Sequence, residues 1–419
     1  MISALAAAAD PQSIQTADIN YAQIAPILIV FLAALVSVLL EALLRRPARR
    51  QAQLTLVTVA LLASLVTVFL LAGTNSLTAG GALAIDAPGL FMQGSILLLA
   101  LLAAFVMFER RVDPAGDAFT ARASALPGSE DEQGFTREGW LQTEIWPLFL
   151  FCVGGMLTFV VSNDLLTMFV ALEVMSLPLY LLVAMSRRRR LLSQEASLKY
   201  FLLGAFGSAF FLYGSAMTYG FAGTLGFGGI ASKMTALAAP NGLLITGIGL
   251  IAVGLLFKLG AVPFHQWVPD VYQGAPTPLT GFMAAAVKLA AFGALLRIMY
   301  VAFGGARWDW RPAVWIIAVL TMLVGVILAL TQNDVKRMLA YSSIAHAGFL
   351  LIGVLATNNT GLGGTMFYLL AYGVSTIGAF ALVALVRDPA GEATSLSSWV
   401  GLGRTSPLVA GAFALFLLA

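Results

Sequence analysis

Long apolar runs constrain this chain more than any other feature of its sequence. They fall at about 24–44, 54–72, 89–108, 146–161, 165–185, 198–220, 243–272, 277–302, 313–331, 338–356, 364–386 and from 408 onward. A run of about 20 apolar residues can cross the bilayer core, which is roughly 30 Å thick, as a helix. Only 10% of the 419 residues are charged, too few for the surface of a soluble domain. The runs also lack the alternation of barrel strands. We therefore predict an all-α polytopic membrane protein with about twelve helices in this sequence.

Basic residues in the loops between the runs predict the orientation of the bundle. With the N-terminus outside, sixteen basic residues fall in inner loops and three in outer loops. Inner loops are enriched in Lys and Arg, so we predict an outer N-terminus. The inner set is Arg45, Arg46, Arg49, Arg50, Arg110, Arg111, Arg122, Arg137, Arg187, Arg188, Arg189, Arg190, Lys336, Arg337, Arg387 and Arg404, and the outer set is Lys233, Arg307 and Arg311.

Two segments depart from this simple pattern. The polar stretch at about 109–145 is predicted to be a flexible inner loop. The run from Leu408 to Ala419 would rise only about 18 Å as a helix, short of the bilayer core. We expect the protein to continue beyond it.

Composition excludes several functions. Cys152 is the single cysteine, which removes disulfide frameworks, Cys-ligated zinc and iron–sulfur clusters held by this chain alone. The glycine-rich patches at 226–229 and 361–364 match neither a dinucleotide-binding fingerprint nor a P-loop. The net charge of +3 is modest and lies in arginine-rich loops. We expect no redox cofactor, metal or nucleic acid on this chain.

The few charges inside the apolar runs are the candidate functional residues. Glu173 lies eight residues into its run, about 12 Å deep. A lone carboxylate at that depth is costly, so it should face the bundle interior and have a partner. The alternative is a structural ion pair or a neutral, hydrogen-bonded acid.

Lys258 is followed by Gly260 and Pro263 within a run that would be about 45 Å long as one helix. Because proline deletes a backbone donor and clashes one turn back, we predict a helix break that leaves Lys258 at mid-membrane. Broken helices at this depth are typical of transporter sites. The alternative is a snorkelling lysine, whose aliphatic chain extends so that its amine reaches the membrane interface.

Four further residues complete the candidate set. Lys288 lies near mid-depth, with a structural pair as its alternative, and His346 is either a proton relay or a core histidine. His265 follows Pro263 and is open to both interpretations. Lys199 is placed one or two residues into its helix on the inner side, where snorkelling alone explains it.

Together these residues suggest a proton-transfer device. Burial favours the neutral form of an amine, and a nearby carboxylate favours its charged form. A lysine whose glutamate partner moves can therefore gain or release a proton. Glu173, Lys258, Lys288 and His346 at similar depth would form a lateral path, with water bridging the gaps.

Two motifs resemble a known family. They are VPDVYQGAPTP at 268–278, directly after the Lys258 segment, and KRMLAYSSIAH at 336–346. Both resemble the antiporter-like membrane subunits of respiratory complex I, the energy-converting NADH–quinone oxidoreductase of bacteria. The first motif is similar to one branch of that family, whose sister branches keep a Leu-Pro-Asp-Ala version.

The resemblance implies a fold and site roles. It implies fourteen helices with two inverted five-helix repeats, each with one broken helix. The segments would be 1–145 with three helices and the polar loop, 146–302 as the first repeat, and 303–419 as an incomplete second repeat. Glu173, Lys258 and Lys288 match the family's helix-five glutamate, helix-seven lysine and helix-eight lysine. Lys199 matches the lysine at the start of helix six. The family's helix-twelve lysine would follow Ala419.

The resemblance also implies a function and partners. The chain would be a proton-translocating subunit in the bacterial inner membrane, bound to other membrane subunits, with NADH, FMN, iron–sulfur clusters and quinone on other subunits. One alternative is a subunit of a multisubunit Na⁺/H⁺ antiporter, without a redox partner. A second is a structural scaffold between pumping subunits.

Overall fold

The fold is a bundle of long helices, seen in a computed structural model that describes residues 18–112, 116–138, 141–237, 242–388 and 391–418. The predicted outer N-terminal residues before 18 lie outside the described residues. The helices are α1 Ala25–Leu43, α2 Arg46–Leu70, α3 Ala87–Met107, α4 Glu130–Arg137, α5 Ile145–Val161, α6 Leu165–Val183, α7 Arg190–Ala222, α8 Phe227–Leu237, α9 Gly242–Leu259, α10 Trp267–Gly274, α11 Thr277–Phe282, α12 Lys288–Arg297, α13 Arg307–Leu330, α14 Val335–Ala356, α15 Asn359–Leu385, α16 Leu402–Thr405 and α17 Pro407–Leu418.

Each predicted apolar run corresponds to a helix, and ten spans of the described chain are long and apolar enough to cross a membrane. The shorter α5 and α17 account for the two remaining runs. One of the ten spans, Thr277–Ala302, is continuous from α11 through α12 and is buried over residues 277–296, and we call it the central span. The prediction of an all-α polytopic membrane fold is confirmed. Only two short hairpins add strand in the described chain: β1 Ser76–Thr78 with β2 Leu83–Ile85, and β3 Arg387–Asp388 with β4 Gly391–Glu392.

Short polar residues at the start of the apolar runs explain where several helices begin. Asp86, Asp164, Asp334 and Asn358 are the N-cap residues of α3, α6, α14 and α15. Each side chain accepts a hydrogen bond from a backbone N–H of the first turn. These bonds satisfy donors that a helix start leaves free.

Two local predictions were wrong, and one short helix was not predicted. The helix that holds Lys199 begins at Arg190, so this lysine lies nine residues inside it and not at its start. The polar loop contains α4, which is capped by Ser129. The eleven-residue α8 also was not predicted. An apolar run indicates only the membrane-spanning part of a helix. Polar first turns and short surface helices therefore cannot be predicted from such runs.

The loops predicted to share one side of the membrane contact one another. Among the loops predicted to be inner, Arg187 pairs with Asp117 at 2.8 Å, and Arg189 donates to Thr394 Oγ1 at 2.9 Å. Among those predicted to be outer, Asn163 donates to the Gly81 carbonyl at 2.9 Å. The alternation of the spans is therefore consistent with the geometry of the loops.

Glycine permits the close crossing of α5 and α6. A Cβ atom at Gly155 would lie 2.5 Å from the backbone nitrogen of Met175. Because this neighbour is backbone, it cannot rotate away. The crossing places the α6 segment of Glu173 and Ser176 within the bundle.

We predict that Gly155→Ala destabilises the protein by about 1–3 kcal/mol, because the added methyl forces the two helices apart. The thermal unfolding midpoint of the detergent-solubilised protein measures the effect. Gly249→Ala is the matched control, since a Cβ at that position of α9 meets nothing within 4 Å. Equal midpoints for both variants would contradict the close crossing.

Candidate functional site

The predicted helix break next to Lys258 is present. Helix α9 ends at Leu259, Gly260 has a φ of +71°, and α10 begins at Trp267. Protein groups satisfy the backbone of the break: the Val262 N–H donates to Thr321 Oγ1 at 3.0 Å, and Trp267 Nε1 donates to the Phe257 carbonyl at 2.9 Å. Irregular backbone at membrane depth requires such partners.

Two hydroxyl groups hold Lys258. Its side chain is buried, with 5% exposure, and Nζ donates to Ser176 Oγ at 2.8 Å and to the Tyr200 hydroxyl at 3.0 Å. The Tyr200 ring stacks on Trp267 with their centroids 4.8 Å apart. The amine is thus fixed at the break by neutral oxygens.

Glu173 lies one turn before Ser176 on α6 and does not pair directly with Lys258. Within the described residues, no Glu173 oxygen lies within 4.0 Å of a basic nitrogen, and the buried Oε1 has no hydrogen-bond partner. The carboxylate still interacts electrostatically with Lys258. The sequence predicts a Glu173–Lys258 pair whose distance changes, and in this structure Ser176, one turn further along α6, makes the direct contact with the lysine instead.

Lys288 forms a second cluster on the central span. It directly follows a π-helical segment, Met283–Val287, a feature that often marks functional sites. Its side chain is 4% exposed, and Nζ donates to both the carbonyl and the hydroxyl of Ser343. The side chains of Tyr272 and Tyr372 also interact with the Ser343 side chain.

His346 lies next to this second cluster. It follows Ser343 by one turn of α14, its Nδ1 shares a 2.5 Å hydrogen bond with the Tyr368 hydroxyl, and its ring lies 4.7 Å from that of Tyr372. Lys288 interacts with it electrostatically. The structure thus brings Lys288 and His346 together, while no direct hydrogen bond among the described residues joins them to the Lys258 cluster.

The other two candidates lie apart from these clusters. Lys199, 43% exposed, pairs with Glu195 at 2.7 Å and with Asp270 at 2.8 Å, and Asp270 also pairs with Arg337. This network joins α7, α10 and α14. His265 is half-buried in the turn between α9 and α10. Within the described chain its ring makes no hydrogen bond to Lys258, Lys288 or His346.

Several groups that contact the lysines were not predicted from the sequence. The hydroxyls of Ser176, Tyr200 and Ser343 lie in apolar runs, where serine and tyrosine are unremarkable. Helical spacing is the sequence signal that could have identified the two serines. Ser176 follows Glu173 by three residues and Ser343 precedes His346 by three, so each lies on the same helix face as a candidate residue. Lys336 was assigned to an inner loop, yet it is buried in the first turn of α14 with 4% exposure.

Arg297, which no sequence pattern assigned to a role, is held in a different way. Its guanidinium pairs with both carboxylate oxygens of Asp86, at 2.9 and 2.7 Å, and Nε donates to the Val160 carbonyl at 2.8 Å. The bidentate pair joins α12 to the start of α3. Among the described residues, no group of three or more His, Cys, Asp or Glu could hold a metal ion.

Comparison with known proteins identifies relatives over most of the chain. The family described as "NADH:quinone oxidoreductase/Mrp antiporter, TM" matches residues 162–419. The chain is 58% identical to NADH-quinone oxidoreductase subunit N of Rhodococcus opacus (strain B4), across 98% of this chain and 80% of the relative. It is 56% identical to subunit N of Acidothermus cellulolyticus, across 99% and 80% respectively.

Chains of two solved complexes share this fold. A chain of respiratory complex I from Thermus thermophilus with bound Aureothin superposes with a TM-score of 0.73 at 34% identity, covering 94% of this chain and 77% of that one. A chain of the Mrp complex from Dietzia sp. DQ12-45-1b gives a TM-score of 0.75 at 23% identity, covering 94% and 70%. At that identity the second likeness concerns the fold alone.

We predict that Asp86→Ala destabilises the protein by about 3 kcal/mol or more, because it leaves the buried Arg297 charge without its carboxylate. The unfolding midpoint in detergent measures the loss. Asp164→Ala is the matched control. It removes a helix cap with no ion pair among the described residues and should cost about 1 kcal/mol. Similar losses in both variants would show that Asp86 acts only as a cap.

Proposed function

This chain belongs to the family of NADH–quinone oxidoreductase subunit N proteins, and from that premise we propose that it is a proton-translocating membrane subunit of such a complex. The observation that carries the proposal is that two buried lysines of the membrane spans have only neutral hydrogen-bond partners among the described residues. Lys258 and Lys288 are buried and held by hydroxyl or carbonyl oxygens. NADH oxidation and quinone reduction would take place on other subunits, which supply the energy.

Neutral partners suit a lysine that must change its charge. A fixed carboxylate contact would favour the ammonium form throughout the cycle, whereas burial favours the neutral amine. A hydroxyl group can accept a hydrogen bond from the ammonium and donate one to the amine. The two forms can therefore exchange without leaving a buried group unsatisfied.

Glu173 would control the first lysine. Its free Oε1 atom lies one turn from Ser176, so a small movement of α6 or α9 could bring it into contact with Lys258. The closer carboxylate would favour a proton on Lys258, and its withdrawal would release that proton. The redox reaction elsewhere in the complex would drive this change of distance.

The released proton would then move laterally to the second cluster. Water would bridge the gap between Lys258 and Lys288. Lys288 would transfer the proton through Ser343 towards His346 and its partner Tyr368, and from there to an outer exit. His265 stays a candidate relay because it lies in the turn that follows Lys258.

Lys199 would act on the inner side. Its ion pair with Asp270 joins α7 to the second half of the broken helix, so it would influence the position of α10 and the access of protons from inside.

The proposed location is the bacterial inner membrane, with the N-terminus outside and other membrane subunits of the complex as partners. Large apolar side chains on the bundle surface, such as Leu39, Phe69 and Ile316, fit contact with lipid or with those subunits. The assignment of 146–302 and 303–419 as two inverted repeats is still a prediction.

Two alternatives lead to different outcomes. A multisubunit Na⁺/H⁺ antiporter shares the fold, but it would not co-purify with iron–sulfur subunits. A scaffold between pumps would tolerate the loss of buried charge, provided that the complex assembled.

We predict that Lys258→Ala in the assembled complex lowers both NADH-driven proton translocation and coupled quinone reduction by about tenfold or more, because a proton-transfer group is lost. Lys258→Arg should be equally defective, since arginine does not release its proton. Membrane vesicles with a pH-sensitive dye measure translocation.

Lys233→Arg is the control for the Lys258 variants, because Lys233 is an exposed residue of α8. Wild-type translocation per electron in Lys258→Ala would refute the assignment. If Lys258→Ala impaired assembly, but the complexes that did assemble translocated the normal number of protons per electron, the result would favour the scaffold.

The proposed orientation predicts the labelling of single cysteines. Ser124→Cys on the inner loop should react with a membrane-impermeant maleimide only after permeabilisation of spheroplasts, whereas Ser232→Cys on α8 should react at once. Both positions are exposed, and the native Cys152 is fully buried, so background labelling should be low. The opposite pattern would reverse the orientation.

A further inference from the structure

A third buried lysine, Lys336, lies beside a polar cavity on the predicted inner side. Its Nζ donates to the Ala275 carbonyl at 2.8 Å. An ammonium group has three donors, and this is the one hydrogen bond that the described residues provide for it. The remaining donors point to water or to another acceptor at this position.

The cavity has a volume of about 400 Å³ and is lined by Arg187, Gln273, Thr277, Lys336 and Glu392, among others. Arg187 is 6% exposed, and its Nη1 is buried without a hydrogen-bond partner. Buried polar atoms without protein partners are usually satisfied by water. At about 30 Å³ for each molecule, the cavity could hold roughly a dozen waters.

Glu392 provides the negative charge near Lys336. It lies on the β3–β4 hairpin, and its carboxylate accepts a hydrogen bond from the Thr277 hydroxyl at the start of the central span. It interacts electrostatically with Lys336, as does Asp334, whereas Arg189 opposes the charge of the lysine. The cavity thus combines a buried base, its counter-charge and space for water.

Helix geometry connects this lysine to Lys288. Lys336 and Ser343 are seven residues apart on α14, so they lie on the same face about 10.5 Å apart. The small Ala340 lies between them and has no exposed surface, so the packing at this position must open before water can enter. Ser343 is the residue that accepts the hydrogen bonds of Lys288. About three waters at hydrogen-bond spacing would span this distance.

We propose that this cavity is the inner-side proton-uptake site, with Lys336 as the proton-carrying residue and Glu392 as its counter-charge. The inference rests on the proposed function. A hydronium ion in the cavity gives its proton to the Lys336 amine and becomes water. The ammonium then passes a proton through water and the Ser343 hydroxyl to the Lys288 amine. Ser343 gives up one proton as it gains another, and Lys336 returns to the neutral amine.

A purely structural role makes a different prediction. Lys336 donates to Ala275, the C-cap residue of α10, and a cation at a helix C-terminus is stabilising. If Lys336 served only as this cap, a permanent cation with N–H donors would replace it.

Lys336→Arg separates the two roles. We expect the variant complex to assemble with a wild-type unfolding midpoint and to lose proton translocation about tenfold or more, because arginine does not release its proton. Glu392→Gln keeps a hydrogen-bond acceptor for Thr277 and removes the counter-charge, so it should also slow translocation. The measurement is the initial rate of NADH-driven proton uptake in inverted vesicles, with Lys233→Arg as the control.

Wild-type translocation in Lys336→Arg would overturn the proposal and leave Lys336 as a cap. If that variant failed to assemble, normal translocation in Glu392→Gln would overturn it instead. Lys258→Ala is measured in the same series. If Lys258→Ala is normal, the proposed function fails, whereas a defect in Lys258→Ala with both other variants normal refutes only the uptake site.

Discussion

Lipid hydrocarbon offers no hydrogen-bond partners, so the protein or water enclosed within it must satisfy every buried charge and every break in a helix. The break after Lys258 shows how closely this requirement is met. Thr321 from α13 accepts the N–H of Val262, and the Trp267 indole donates to the carbonyl of Phe257. The broken helix therefore depends on Thr321, which lies outside its own span, and the position of Lys258 depends on it as well.

The same requirement separates two kinds of buried cation. Arg297 has a bidentate carboxylate and a carbonyl as partners, which suits a charge that never changes. Lys258 and Lys288 have hydroxyl and carbonyl partners, which suit a group that exchanges its proton. The partners of a buried cation thus indicate its role better than its depth does.

Features that hydrophobicity and backbone chemistry decide could be predicted from the sequence. The apolar runs located the spans, and Gly260 with Pro263 located the break, because both signals are local. The contacts of the lysines could not be predicted. Whether Glu173 or Ser176 faces Lys258 depends on the rotation of α6 against α9, which no local pattern encodes. Lys336 was misplaced for a similar reason, since a lysine at the start of a span is exposed or buried according to how neighbouring helices pack.

Each buried lysine also coincides with an irregularity of its helix. Lys258 is the penultimate residue before the break, Lys288 directly follows a π-helical segment, and Lys336 lies in the first turn of α14. In a regular helix the backbone carbonyls are already bonded within the helix. Where the regular pattern stops, oxygens and space become free for a polar side chain or water. Lys336 uses such an oxygen at the end of α10, the carbonyl of Ala275. The end of one helix thus provides for Lys336 the oxygen that the membrane cannot, whereas Lys258 and Lys288 depend on the oxygens that Ser176, Tyr200 and Ser343 place beside the irregular segments.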